Sequence, residues 1–202
     1  MNNNNFKKVF FTDFLTTELN NKGEEKKRNF KKILPPKYKS PDFDFSQPWI
    51  KNKTSAMGHV VVTGKESNIT VLDFDDRKLY KHACELVPDL HRYYTVQTKN
   101  GMHVYFLYDE SLKDSKVTKI DLQTNGRLVV GQDTLLKRYN GHSFMYSYLG
   151  GKLERMPQVL IDWACNVKKT VSSERRNYES SVNYNYEVND DECRTILDRI
   201  FY

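Results

Sequence analysis

The chain of 202 residues is long enough for one domain of ordinary size with some extra segments, and its 38% hydrophobic and 13% aromatic residues supply one core rather than two. The net charge of +6 (pI about 9.0) comes from the first forty residues, where ten Lys and Arg stand against four Asp and Glu; such a basic edge suits a polyanion, although charge alone favours a solvated lysine-rich surface. The scattered Cys84, Cys165 and Cys193 form no C-x-x-C pair, which argues against structural zinc, and neither a bilayer-length apolar run nor a secretion-like start is present, so we expect a cytoplasmic protein with no membrane partner.

Phe6, Val9, Phe10, Phe14 and Leu19 are spaced as one apolar face of a helix, and a charged stretch from Lys22 to Lys32 follows. Pro35, Pro36 and Pro41 demand an extended path, with Pro48-Trp49-Ile50 as its anchor to the core. The β-signal is densest in the next block. His59 to Thr63 reads as a buried strand, Gly64 to Ser67 as a turn and Asn68 to Asp75 as a second strand. A helix is predicted from Arg77 to Val87, capped by Asp76 and ended by Pro88. Tyr93 to Thr98 and Met102 to Tyr108 read as strands joined through Lys99-Asn100-Gly101, where Asn-Gly predicts a type I′ turn. Thr118 to Leu122 and Arg127 to Val130 read as a strand pair turning at Asn125-Gly126, with a further strand at Phe144 to Tyr148 and a closing helix from Met156 to Trp163. Residues 168–186 have a linker's composition, and Asn189 to Phe201 has that of a capped amphipathic helix, the start of a further domain.

The chemistry concentrates in Asp73-Phe74-Asp75. Residues i and i+2 of a strand share a face, so both carboxylates project together while Leu72 and Phe74 enter the core. Two like charges side by side are costly, and a hard divalent cation such as Mg²⁺ or Mn²⁺ offsets that cost. A polar edge strand paired with lysines accounts for a lone pair of this kind just as simply. Two further residues weigh against that. His103 and Tyr105 share a strand face beside Lys99, where the imidazole and ammonium suit a phosphate. Asp121 stands in an apolar strand between Ile120 and Leu122, which is expensive unless the acid is paired or metal-bound. Thr63-Gly64-Lys65 invites comparison with a phosphate-binding loop, but five residues separate Gly58 from Gly64 and Glu66 follows the lysine, so it is either a plain turn, the preferred reading, or part of the nucleotide pocket.

The order Asp73-x-Asp75, then Gly101-x-His103-x-Tyr105-Phe106, then Ile120-Asp121 resembles the three motifs of the archaeo-eukaryotic primase superfamily, and most closely its primase–polymerase domain. Thr63-Gly64-Lys65 and Ser67-Asn68-Ile69 are similar in style to the primase–helicases of large DNA viruses, and Met156-Pro157 to Trp163 resembles the family's closing helix. The likeness covers about residues 30–165. It implies an α+β fold: an RRM-like antiparallel sheet bearing the active site, packed with an N-terminal α/β unit. The catalytic domain would then be residues 1–167, including a basic segment over 1–40, with the linker at 168–186 and the helix of a further domain at 187–202.

The resemblance also implies roles. Asp73, Asp75 and Asp121 would ligate two divalent ions, Mg²⁺ or Mn²⁺. His103 would bind the incoming nucleotide's phosphates, with Lys99 and Arg127 as further triphosphate contacts. Single-stranded DNA template, nucleoside triphosphates and a partner or fused helicase are the implied partners, in the cytoplasm or at a viral replication site. Where the family often has Pro-Pro-Ser, this chain has Gly131-Gln132-Asp133-Thr134, which leaves Tyr139 as a weak candidate contact. Two other readings stand beside this one. The strand Val71 to Asp75 resembles the nucleophile strand of haloacid-dehalogenase-type phosphatases, with Asp190-Asp191 as the late acidic pair. The 13 tyrosines among lysines also suit a non-catalytic nucleic-acid-binding module.

Overall fold

In the computed structural model, residues 6–28, 32–34, 56–117 and 119–164 are described. The chain divides into two units, Met1–Lys168 and Lys169–Tyr202. The expected linker and final helix lie outside the described residues, as do Pro35 to Ile50, Cys165 and Cys193.

The first two strands, β1 (Lys8–Phe11) and β2 (Leu15–Leu19), replace the predicted N-terminal helix. The apolar spacing there fits either period. Inward alternation of Val9 with Phe11, and of Leu15 with Thr17, decides for strands, and β-branched and aromatic side chains favour them locally. Strand β3 (Glu25–Lys27) pairs antiparallel with β2, Thr17 facing Lys27. Among its described residues the N-terminal region contributes strands, and residues 35–55 of the expected α/β unit lie outside the described residues.

The valine-rich β4 (Gly58–Val62) is the centre of a three-stranded sheet, flanked by β1 and by β10 (Leu128–Val130). Its near-continuous burial follows from that central place. After a turn closed by Gly64 N–H to Ile69 O (2.8 Å), β5 (Ile69–Phe74) enters the main sheet. Helix α1 (Arg77–Leu86) follows, and Asp76 caps it by accepting from Lys78 N–H at 2.9 Å, as its sequence predicts. A 3₁₀ turn (Pro88–Arg92) leads into the hairpin of β6 (Tyr94–Gln97) and β7 (Met102–Leu107). Neither Asn100 nor Gly101 has positive φ, so the turn is not type I′. Thr98 closes it, its N–H donating to Gly101 O and its Oγ1 accepting from Gly101 N–H, both at 3.0 Å.

Strands β8 (Ser115–Val117) and β9 (Ile120–Gln123) precede β10. β9 and β10 do not pair with each other, contrary to expectation: β9 joins β5, whereas β10 crosses to β4. Strands β11 (Leu135–Lys137), β12 (Ser143–Met145) and β13 (Ser147–Gly150) complete the set, β11 pairing with β2 and β13 with β6. A last helix, α2, covers 158–164, one residue beyond Pro157. No described helix is long and apolar enough to cross a membrane.

The main sheet has the order β13-β6-β7-β5-β9-β8, antiparallel throughout. Its two faces carry different cores. Leu72, Phe74, Val104, Phe106 and Leu122 pack with Ala83 of α1 and Leu160 of α2. Ile69, Val71 and Tyr105 pack with Val9, Val60 and Val129 of the three-stranded sheet. Each such fully buried side chain contributes about 1.5–3 kcal/mol. The fold is thus mixed α+β, with mostly antiparallel sheets and few helices. The face without helices carries the polar row described next.

Candidate active site

Strand registry assembles the site. Asp73 lies directly opposite His103 on one neighbour and Asp121 on the other. Directly opposed residues share a face, so a row from β7 through β5 to β9 presents His103, Asp73 and Asp121 together. Asp75 follows two residues on, just past the end of β5, where its N–H donates to Lys119 O at 2.9 Å. These four line an open cleft of about 640 Å³, shared with Gln123, with Leu128 to Val130 of β10, and with Lys27, Arg28 and Lys32.

Asp73 is held from both sides. His103 Nε2 lies 3.3 Å from its Oδ1, and Gln123 Nε2 donates to its Oδ2 at 3.2 Å. His103 is almost wholly buried beside Tyr146, and no described residue partners its Nδ1 by a hydrogen bond. Burial pushes the Tyr146 hydroxyl up, and the charges of Asp73 and Asp75 add to this, although Lys27 opposes it. Crowding by protein would lower the Lys27 ammonium, yet Tyr146 and the carboxylates of Asp73 and Asp75 outweigh it and hold the group above its ordinary range.

The three carboxylates share a face without being drawn into a ready cage: among the described residues, no set of three acidic, His or Cys side chains is gathered to hold a metal ion. Like charges repel, and Asp73 already has His103 and Gln123 as partners. The donor set is nonetheless one of carboxylate oxygens on one face, which fits a hard divalent cation.

Asp76 stays out of this set. It caps α1 and accepts from Lys119 Nζ at 2.9 Å, and that contact holds its carboxyl below the usual range. Each of the two expected triphosphate cations has an acidic partner. Lys99 Nζ lies 2.7 Å from Glu25 Oε2, and Arg127 Nε 2.7 Å from Asp114 Oδ2, in a smaller recess of about 290 Å³ that Asp121 and Gln123 also line. Tyr139 is a surface residue, 50% exposed. Thr63-Gly64-Lys65 forms the plain turn expected, with Gly126 N–H donating to Thr63 O at 2.9 Å. Lys27 and Gln123 were not anticipated in the cleft, nor Tyr146 beside His103; for Lys27 the only sequence signal is its membership of the basic segment.

Comparison with protein families adds the deciding observation: residues 35–157 match the profile described as bifunctional DNA primase/polymerase, N-terminal (Prim-Pol), over more than half of the chain. The chain belongs to the Prim-Pol family. Prim-Pol membership carries DNA primase/polymerase function, and thus a nucleotidyltransferase that binds DNA and nucleotides and generally depends on divalent metal. It does not favour the phosphatase alternative, whose acidic pair, Asp190-Asp191, lies outside the described residues. The Prim-Pol span takes in the whole Asp73, Asp75, His103 and Asp121 row but not β3, which ends at Lys27. No curated protein matches the chain as a relative.

Proposed function

We propose that the protein is a template-directed DNA primase/polymerase whose reaction takes place in the cleft floored by Asp73, Asp75 and Asp121. The observation that carries this reading is the registry of Asp121 with Asp73 across β5 and β9, which aligns acids 48 residues apart in sequence with His103 beside them. A pure nucleic-acid-binding module has no use for such acids beside a phosphate chain. In the reaction, the 3′-hydroxyl oxygen of a primer or first nucleotide bonds to the α-phosphorus of the incoming triphosphate, and the bond to the β-phosphate breaks to release pyrophosphate. Two divalent ions, Mg²⁺ or Mn²⁺, held by Asp73, Asp75 and Asp121 would supply Lewis acidity for attack and departure. His103 and Gln123 orient Asp73, and the imidazole at the cleft floor offers a contact to a phosphate oxygen. The basic residues Lys27, Arg28 and Lys32 that line the cleft favour a polyanionic substrate and make binding salt-sensitive.

The helix-backed antiparallel sheet with acids on its helix-free face supports the RRM-like reading. Likeness to viral primase–helicases extends the proposal to a helicase partner at a replication site. The test is primer synthesis on single-stranded DNA with Mg²⁺ or Mn²⁺, comparing wild type with Asp75→Ala and Asp121→Asn. Losses of at least about a hundredfold are expected, since each acid acts on the charge that develops in the transition state. Equal product from all three proteins would overturn the assignment.

A further inference from the structure

Strand β3 lies outside the span that matches the family, yet it brings a cation to the catalytic cleft. Glu25 and Lys27 are two residues apart and so project to one side of the strand. Glu25 is clamped. Its Oε2 accepts from Lys99 Nζ at 2.7 Å and from Arg138 at 2.9 Å, and its Oε1 accepts from Thr17 Oγ1 at 2.5 Å. Its side chain is only 9% exposed. These bonds tie β3 to the turn of the β6–β7 hairpin, which carries His103, and to the residue after β11. The clamp sets where Lys27 lies: in the same cleft as Asp73 and Asp75, with its Nζ 5.9 Å from the centre of the Tyr146 ring.

A triphosphate bound at three carboxylates still carries excess negative charge after two divalent ions are counted, so a cation is needed in the cleft. Lys99 and Arg127 already have acidic partners. Arg28 lines the cleft too but pairs at 3.3 Å with the exposed Glu18, and Lys32 lines it from a turn rather than from the clamped β3. We propose that Lys27 is a phosphate ligand for the incoming nucleoside triphosphate, and that Glu25 is the positioning residue that holds β3 over the site. This inference rests on the primase/polymerase reading above. Tyr146 serves as the resting partner of Lys27.

The experiment measures Mg²⁺-dependent binding of dGTP, inorganic tripolyphosphate and dGMP to the full chain by equilibrium dialysis. Wild type is compared with Lys27→Met, Lys27→Arg and Glu25→Gln. Lys27→Met is expected to weaken dGTP and tripolyphosphate by about 10- to 100-fold, the range of one charge-assisted hydrogen bond, while dGMP changes by less than about threefold. Lys27→Arg keeps binding within about threefold of wild type, because the charge and donors remain. Glu25→Gln weakens the same two ligands, whereas a merely structural loss would weaken dGMP equally. If Lys27→Met binds tripolyphosphate as tightly as wild type, or more tightly, Lys27 is only an internal counter-ion of the carboxylates and the inference falls. If wild type itself shows no Mg²⁺-dependent dGTP binding, the primase/polymerase reading falls with it.

Discussion

Replacing Gly101 by alanine tests how the hairpin turn supports the catalytic strand. Gly101 does not use the left-handed backbone region, so its role is close approach rather than conformational freedom. A Cβ placed there would meet Phe74 O at 1.8 Å, Phe74 C at 2.8 Å and Asp76 N at 3.1 Å. All three are backbone atoms, and they flank Asp75. Non-bonded carbon contacts settle at about 3.5 Å or more, so the turn and the end of β5 must separate by roughly 1.5 Å. Overpacking of this kind costs about 1–3 kcal/mol, and unyielding backbone places this case at the upper end. For a unit of this size the melting temperature should fall by roughly 6–12 °C. Primer synthesis should fall further than stability alone explains, because Asp75 moves relative to Asp73 and Asp121. Thermal melting by circular dichroism, with primer synthesis measured well below the melting point, reads both effects. Asn100→Ala serves as the control and should be nearly neutral, since no positive φ is needed at that residue. Wild-type melting and wild-type activity in Gly101→Ala would refute the packing argument.

Two smaller perturbations follow from the same geometry. Asp76→Ala removes the α1 cap and the contact to Lys119; a loss of about 1 kcal/mol is expected, nearly all from the cap because Lys119 is exposed. Urea unfolding measures it, and an unchanged midpoint would refute the capping role. The acid limb of stability should carry two signatures. Burial, with Lys8 nearby, lowers the His59 imidazole from 6.5 to about 3, so the unfolded chain binds the extra proton between those values and stability falls as pH drops below 6.5. Glu25, held down to about 2 chiefly by Arg138, contributes stability that is full above its ordinary 4.5 and is lost as pH falls through 2. His59→Gln should therefore flatten the loss between pH 6 and 5, where at most about 1.4 kcal/mol per pH unit is at stake. Parallel urea midpoints for wild type and variant across that interval would contradict the burial argument.

Much of the central fold was legible because its signals are local. The valine run of β4, the alternation in β5, the Asp76 cap, the stop at Pro88 and the apolar pattern of β7 each act within a few residues. The N-terminal strands were not. Phe6, Val9, Phe10 and Phe14 satisfy a helical period as well as an extended one, and only pairing of Val9 with Val60 across β1 and β4 breaks the tie. The partner of β10 was equally hidden. Arg127 to Val130 has strand propensity, but nothing within it distinguishes the adjacent β9 from the distant β4.

The site divides in the same way. The amino-acid order alone determined that Asp73 and Asp75 share a face, that His103 and Tyr105 share another strand's face, and that Asp121 interrupts an apolar strand, because period-two alternation is a property of the backbone. Tertiary structure decided which strands are neighbours, and hence that Asp121 and His103 flank Asp73 rather than each facing different partners. It also decided which cations face the acids. Lys99 and Arg127 stand close to the motifs in sequence but are captured by Glu25 and Asp114, while Lys27, nearly fifty residues upstream of Asp73, reaches the cleft. Ion pairs form across space between long side chains, and no local pattern specifies their partners.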